Sequence, residues 1–327
     1  MKIELLSIND FKIMYGLIGV DYARMDWLSA IDDSLKYDVS IIVQKFHDNN
    51  LIALPIFCGN MGPIKFCGAP LKGSFTGHYD LLTNLKDIKD EAKKIFIQDA
   101  TKLLCSLGYQ YIELPSFDLK ISDSEASKKF IETNTNLVVD ISDMDITWKT
   151  ITGRARTAIR KATKLGVEIS QPTAIDKNIA HDYKMIEDTF KGKGLVVPHP
   201  IELYLSICKL PYVKLFRALK DGVPQAFGLF GYFDTRCIYL AGGMTREGGR
   251  QNAPSLLQWH VMMDANKSGI NLFDLGGIGD IKVDKFKSSF SNSEESHHVK
   301  IHSTFIWQLF YPLANYLRLK GLLKVNH

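Results

Sequence analysis

Cysteine is sparse and unpatterned in this sequence. Cys58, Cys67, Cys105, Cys208 and Cys237 are scattered over 327 positions, none forms a C-x-x-C pair, and the count of five is odd. Such spacing argues against a disulfide framework or a zinc ribbon and fits reduced, mostly buried thiols in a cytoplasmic protein. Long apolar runs are missing as well, so no membrane span is expected, and Met1-Lys-Ile-Glu-Leu-Leu does not read as a secretory leader. Charge of one sign is scarce. A net +4 is too small for a broad nucleic-acid surface, so any phosphate contact should be local. His297-His298 and His302 have no acid or cysteine cluster at ligand spacing, and no metal is expected.

What remains is a globular composition, 46% hydrophobic and 23% charged, long enough for two domains. Alternation and turn signals predict a hairpin from Asp38–Phe46 and Leu51–Phe57, then a Gly- and Pro-rich loop over 59–77. Helical spacing follows over Lys86–Leu107, Gly108 stops it, and Tyr109–Leu114 reads as a strand. The polar stretch 116–136 is the linker candidate. Beyond it come a strand at Leu137–Ile141, a basic helix over Trp148–Leu165, a short strand at Val167–Ile169, and helices over Asp182–Phe190 and Pro200–Lys209. A second hairpin is marked by the Asp221-Gly222 turn between Val213–Leu219 and Pro224–Phe233, with Arg236–Gly242 as a third strand. Pro254 opens a helix that Gly269 closes, and Ile270–Leu275 completes the unit. Hairpin, helix, glycine, strand and acid therefore occur twice. Gly108 leads to Glu113 as Gly269 leads to Asp274. This repeat predicts two related α/β domains with mixed sheets: 1–136, a degenerate first copy; 137–303, which carries the site; and an amphipathic helical tail, 304–327.

Chemistry concentrates in the second copy. Asp274 interrupts an apolar strand, where a carboxylate needs partners. It reads as a site acid or amine orienter, or as a structural carboxylate bonded to amides of the Gly276-Gly277 turn. Lys287 lies close by with Lys282 and Lys285. It reads as a cation for a tetrahedral oxyanion or a ligand phosphate, or as a solvated lysine. Tyr239 is either a proton donor or a core aromatic. Arg156 and Arg160 share a helix face with Lys164, and no acid lies between Thr150 and Val167, so that face suits either phosphate or water. Trp259 neighbours His260, which reads as a packed helix histidine more than a base. The tail from Thr304 reads as a membrane-surface helix or as one packed on the second domain.

Three passages together resemble the Fem family of tandem GNAT transferases: Trp148–Ile169, with Arg154 to Arg160, Lys161-Ala162 and Gly166-Val167; Tyr239–Gly277, ending Phe273-Asp274-Leu275-Gly276-Gly277; and Phe286-Lys287 with Phe290. The first domain is similar in outline, through its hairpin and Gly68-Ala69-Pro70. The resemblance implies two GNAT-like acyl-CoA N-acyltransferase-type domains in tandem and transfer of an acyl or aminoacyl group to an amine. It places catalysis on Lys287 and acceptor contacts on Arg160 and Tyr239; beside it, the residues themselves offer Asp274 and Tyr239 as further catalytic candidates and Arg156, Phe286 and Trp259 as further substrate-binding ones. GNAT enzymes carry a phosphate loop before this helix; Arg246, Gly248, Gly249 and Asn252 occupy it here, with Gln251 where glycine or alanine is expected. The implied donor is acyl-CoA, as a co-substrate with no tightly bound cofactor. The implied acceptor is an amine of a cell-envelope precursor such as a nucleotide-linked amino sugar. The alternatives are aminoacyl-tRNA-dependent peptidoglycan bridge formation, with tRNA as a partner, and a non-catalytic nucleotide-sugar binder. Peripheral membrane contact through the C-terminal helix is compatible with each.

Overall fold

Two antiparallel hairpin systems, each followed by one helix and a parallel return strand, organise the computed structural model. It describes residues 2–16, 24–35, 38–46, 50–61, 64–68, 81–85, 88–117, 131–172, 179–195, 197, 199–234, 236–291, 293–309 and 312. Most of the linker candidate, Ala69-Pro70 and the tail beyond 312 lie outside these residues. The chain divides into two units: 1–134 with 198–203 and 297–327, and 135–197 with 204–296.

Strands β1 (Lys2–Ser7), β2 (Asp38–Lys45), β3 (Leu51–Met61), β4 (Ile64–Gly68), β5 (Leu82–Thr83) and β6 (Tyr109–Pro115) belong to the first unit. Strands β7 (Ile131–Asp140), β8 (Val167–Ser170), β9 (Val213–Lys220), β10 (Val223–Tyr232), β11 (Cys237–Met244) and β12 (Leu272–Gly277) build the second, apart from the first residues of β7. The last strand is β13 (Ser293–Ser303), whose residues 299–303 pair antiparallel with β6.

The internal repeat is complete at the level of topology. In the first unit, β1 is followed by helices Ile8–Tyr15 and Met25–Leu35, then antiparallel β2-β3-β4, helix Asp90–Ser106, and β6 parallel to β4. In the second, β8 is followed by helices Ile179–Gly192 and Ile201–Ile207, then antiparallel β9-β10-β11, helix Ala253–Lys267, and β12 parallel to β11. These are two GNAT-like α/β units in tandem. Gly108 (φ 84°) and Gly269 (φ 85°) end the two long helices in the left-handed region, which glycine enters without a Cβ clash. Each return strand carries its buried acid: Glu113 is 2% exposed and Asp274 0%.

Several elements differ from the sequence reading. The basic helix is two helices, Met144–Thr150 and Gly153–Lys164, because Thr152 caps the second through its hydroxyl on the Ala155 amide. The glycine-rich stretch before Pro254 contains a short helix, Arg246–Arg250. A further helix, Ile281–Lys287, follows β12, with Asp280 capping the Lys282 and Val283 amides. Trp307 packs in the first unit, against Tyr111 (ring centroids 4.4 Å apart) and Phe66 (6.0 Å). No helix among the described residues is long and apolar enough to cross a membrane.

The second unit's core brings Phe216, Phe230 and Phe273 of the sheet against Leu257, Val261 and Met262 of helix Ala253–Lys267. Full burial of each such side chain contributes about 1.5–3 kcal/mol relative to exposure. A second fixture holds helix Ile179–Gly192 to the sheet. Arg217 of β9 donates to both oxygens of Asp182 at 2.6–3.2 Å, with the two side chains 4% and 0% exposed.

Candidate functional site

The site lies where β11 and β12 part. Their parallel pairing covers Cys237–Phe273 and Ile238–Asp274. At the same level β10 shifts register against β11, pairing Leu229 with Ala241 and Phe230 with Tyr239, so Leu240 is the extra residue of a bulge. A bulge adds twist and turns the strand locally. Residues Tyr239–Gly243 are half-buried, unlike the closed strands around them.

Asp274 ends the paired stretch. Its carboxylate accepts from the Gly276 amide at 2.7 Å and from Asn136 Nδ2 at 3.1 and 3.3 Å, and Arg236 Nη1 lies 3.6 Å away. Arg236 also pairs with Glu295 at 2.7 Å. The bond to Gly276 forms the turn and sets Gly276 at φ 79°. A charge with this many donors is tolerated without water.

Helix Ile281–Lys287 is fastened back onto that turn. Asp284 accepts from the Gly279 amide at 3.0 and 3.2 Å, and Lys287 Nζ donates to the Gly277 carbonyl at 2.7 Å. Lys287 is only 8% exposed. Burial lowers its pKa from the ordinary lysine value, against the attraction of Asp284 and Asp274. A methyl added at Gly276 would lie 3.6 Å from Lys287 Nζ and 3.8 Å from the Tyr239 carbonyl oxygen. Gly276 is therefore the point at which the Lys287 ammonium, the Asp274 anchor and the Tyr239 backbone converge. The Tyr239 hydroxyl points toward Gly242, where an added methyl would meet it at 2.3 Å, and burial pushes its pKa up to about 12.

The remaining sequence candidates separate into groups. Arg156 donates through Nη1 to the carbonyls of Trp148, Lys149 and Ile151, closing the end of the preceding helix. Arg160 lies over the Trp148 ring (5.3 Å), which in turn meets Trp259 at 4.8 Å. Trp259 is in the core. His260 is half-buried against Phe216, and desolvation lowers its pKa. Arg246 and Gly249 are exposed on the short helix. Gly248 is buried, and a side chain there would meet the Gln225 carbonyl oxygen at 2.2 Å, so the position suits glycine. Asn252 (φ 57°) precedes helix Ala253–Lys267 and makes no side-chain cap. Phe286 is partly buried and meets Phe290 edge-on at 5.4 Å.

The sequence reading missed Asn136 and Arg236, the two side chains that hold Asp274. Neither interrupts an apolar run, so neither carried a signal. The Asp182–Arg217 pair was missed too, although Arg217 does interrupt the apolar stretch Val213–Leu219.

Part of the chain matches a known family model. Residues 214–318, which include β10 to β12 and Lys287, match the FemAB family model. Among solved structures, FemX superposes with a TM-score of 0.63 at 11% identity, over 94% of this chain and 99% of that one. L-PGS from Bacillus licheniformis gives 0.54 at 11% identity, over 95% and 94%. The C-terminal domain of a protein assigned as a lysylphosphatidylglycerol synthetase from Agrobacterium fabrum gives 0.54 at 13%, over 87% and 91%. At these identities the likeness is one of fold. Among curated protein sequences, none matches.

Proposed function

We propose that this Fem-family protein of tandem GNAT-like fold transfers an aminoacyl or related acyl group from an activated donor to an amine of a cell-envelope precursor. One observation carries the reading: a buried lysine, Lys287, is held 2.7 Å from a turn carbonyl at the open end of a parted strand pair. The fold likeness to FemX and the FemAB match support it, as does the name of the Agrobacterium relative, which describes an aminoacyl group joined to a lipid headgroup.

The chemistry asks for three things. A neutral amine attacks the donor carbonyl, negative charge builds on the carbonyl oxygen, and the amine proton must leave. Lys287 meets the second demand as a desolvated cation. Its effect exceeds that of a surface lysine because little water competes. Tyr239, protonated up to about 12, returns a proton to the leaving hydroxyl or thiol. Asp274 acts on Lys287 and on the turn. Its oxygens are occupied by Gly276 and Asn136, so it orients the site and does not take the proton itself. The proton leaves through solvent.

Aminoacyl-tRNA is the donor favoured by the Fem match, with acyl-CoA as the second reading. The test offers the purified protein a labelled aminoacyl-tRNA mixture or labelled acetyl-CoA, each with UDP-linked amino sugars and UDP-linked muropeptides. A labelled amide with one donor supports transfer and names the donor. Tight binding of a UDP-linked precursor with no donor consumed would replace this reading with that of a binding protein.

A further inference from the structure

Two of the cysteines that form no motif in the sequence are set opposite each other by the fold. Cys58 of β3 and Cys67 of β4 are register partners across an antiparallel pair. Both are free thiols, 4% and 0% exposed, in one buried cluster with Phe96 and Leu104 of helix Asp90–Ser106.

The backbone decides how close they come. The Phe46 amide donates to the Asn50 carbonyl, so by alternation the even-numbered residues of β3 turn their backbone groups toward β2. Leu51 turns the other way. Its amide donates to the Asn84 side chain at 3.0 Å, and its carbonyl accepts from the Thr83 hydroxyl at 2.8 Å, both next to β5. The register of β3 runs without a shift through Cys58. Cys58 therefore bonds toward β2 and meets Cys67 as a non-hydrogen-bonded pair. Such pairs have Cα atoms about 4.5 Å apart, and a disulfide needs roughly 4.4–6.8 Å.

The side chains are already engaged. The Cys67 thiol and the Tyr109 hydroxyl both donate to the Cys58 sulfur. These donors, Cys67 foremost, hold the Cys58 pKa below the ordinary thiol value against the opposing effect of burial, whereas burial pushes the Cys67 thiol well up. One sulfur is thus disposed to act as nucleophile and the other to keep its proton. A way in lies beside them. Asp38, the register partner of Cys58 on β2, and Tyr109 both line a cavity of about 500 Å³, together with Ser7, Asp32 and Ser40.

We propose that Cys58 and Cys67 form a reversible thiol–disulfide site whose oxidant is a hydroperoxide that reaches Cys58 from this cavity. The Cys58 sulfur attacks one oxygen of hydrogen peroxide. The O–O bond breaks, hydroxide leaves and takes up the Cys58 proton as water, and Cys58 becomes a sulfenic acid. Cys67 then loses its proton and attacks the Cys58 sulfur. The S–S bond forms, the S–O bond breaks, and hydroxide leaves with that proton as a second water. Two thiols and one peroxide give one disulfide and two waters, with two electrons passing from sulfur to oxygen. The site lies wholly in the first unit and does not rest on the transfer reading.

The test exposes the full-length protein to hydrogen peroxide in native buffer, alkylates the remaining thiols in denaturant, and maps the peptides without reduction. The expected product is a Cys58–Cys67 cross-linked peptide, lighter by two hydrogens than its two parts, that dithiothreitol removes. Exposed Cys105 is the internal standard. Oxidation of Cys105 while Cys58 and Cys67 are both recovered alkylated overturns the site. So does Cys58 carried to the sulfinic acid with Cys67 still a thiol. Cys67→Ala should leave Cys58 as a sulfenic acid that dimedone traps, and Cys58→Ala should leave Cys67 unreacted; the opposite pattern contradicts the order of the steps. Tyr109→Phe, which deletes one donor to Cys58, should slow cross-linking several-fold, and an unchanged rate excludes a role for that hydroxyl.

Discussion

Burial lowers the Lys287 pKa, while Asp284 and then Asp274 oppose that shift. Because Lys287 acts as a cation in the proposed transfer, activity falls as pH rises through this lowered pKa, and the alkaline limb lies below that of an ordinary lysine. In the pH–kcat profile, Lys287→Arg moves that limb out of range; a limb unchanged by the substitution contradicts the assignment. The sign for stability is the reverse. The folded-state pKa lies below the unfolded one, so the unfolded chain binds more protons between the two values. Stability therefore rises with pH through that window, and the penalty is full below the folded pKa. Removing the cation with Lys287→Ala should lower kcat by about 10²–10³, the usual loss for one oxyanion donor. Gly248 gives a purely steric prediction. Its substitution by alanine drives a methyl to 2.2 Å from the Gln225 carbonyl, and the backbone must shift. A loss of about 1–3 kcal/mol in denaturant melts is expected.

Among the elements, helix Ile179–Gly192 is fastened to the sheet by a buried ion pair. It seats Met185 against Gly243, where an added methyl would lie 2.8 Å from the Met185 Cβ, and its Asp182 is paired with Arg217. Asp182→Ala leaves the Arg217 guanidinium buried at 4% exposure, and such single-partner losses cost about 3–5 kcal/mol. A urea melt of Asp182→Ala beside Asp182→Ala/Arg217→Met separates this penalty from the net value of the pair: the double variant should recover most of the stability. The same scale explains what the sequence disclosed. Elements with strong periodicity and a glycine stop, such as Asp90–Ser106 and Ala253–Lys267, were legible to within a few residues. So was the Asp221-Gly222 turn, whose two residues have φ of 51° and 76°. The helices between β1 and β2 and the helix bearing Lys287 were not. The seven-residue Ile281–Lys287 exposes Ile281 and Val283 and shows no stripe, whereas Met25–Leu35 buries Met25, Leu28, Ile31 and Leu35 at helical spacing, a signal the sequence reading left unused. At the site, Lys287 and Asp274 were legible because a strand acid and a nearby lysine bracket two glycines. Asn136 and Arg236 were not, because their role comes from strand pairing between β7 and β12 over long separations.

For the whole molecule, the two units share a topology but not a chemistry. Both return strands bury an acid, yet Glu113 is engaged by the Tyr111 hydroxyl at 2.8 Å, whereas Asp274 forms a glycine turn to which a lysine is fastened. The repeat therefore supplies a scaffold twice and the proposed reactive centre once, as expected when function resides in residues placed on a fold and not in the fold itself. Glu113→Gln should leave kcat unchanged, whereas Asp274→Asn, which weakens both the turn and the charge beside Lys287, should lower it; steady-state kinetics of the two proteins side by side measure the asymmetry. The most direct test is single-turnover transfer from labelled aminoacyl-tRNA to a UDP-linked envelope precursor, with wild type and Lys287→Ala compared at matched thermal stability. The expected result is an amide product in wild type and a rate about 10²–10³ lower in the variant. Equal rates for the two proteins, or donor left intact by wild type with the precursor bound, would contradict it.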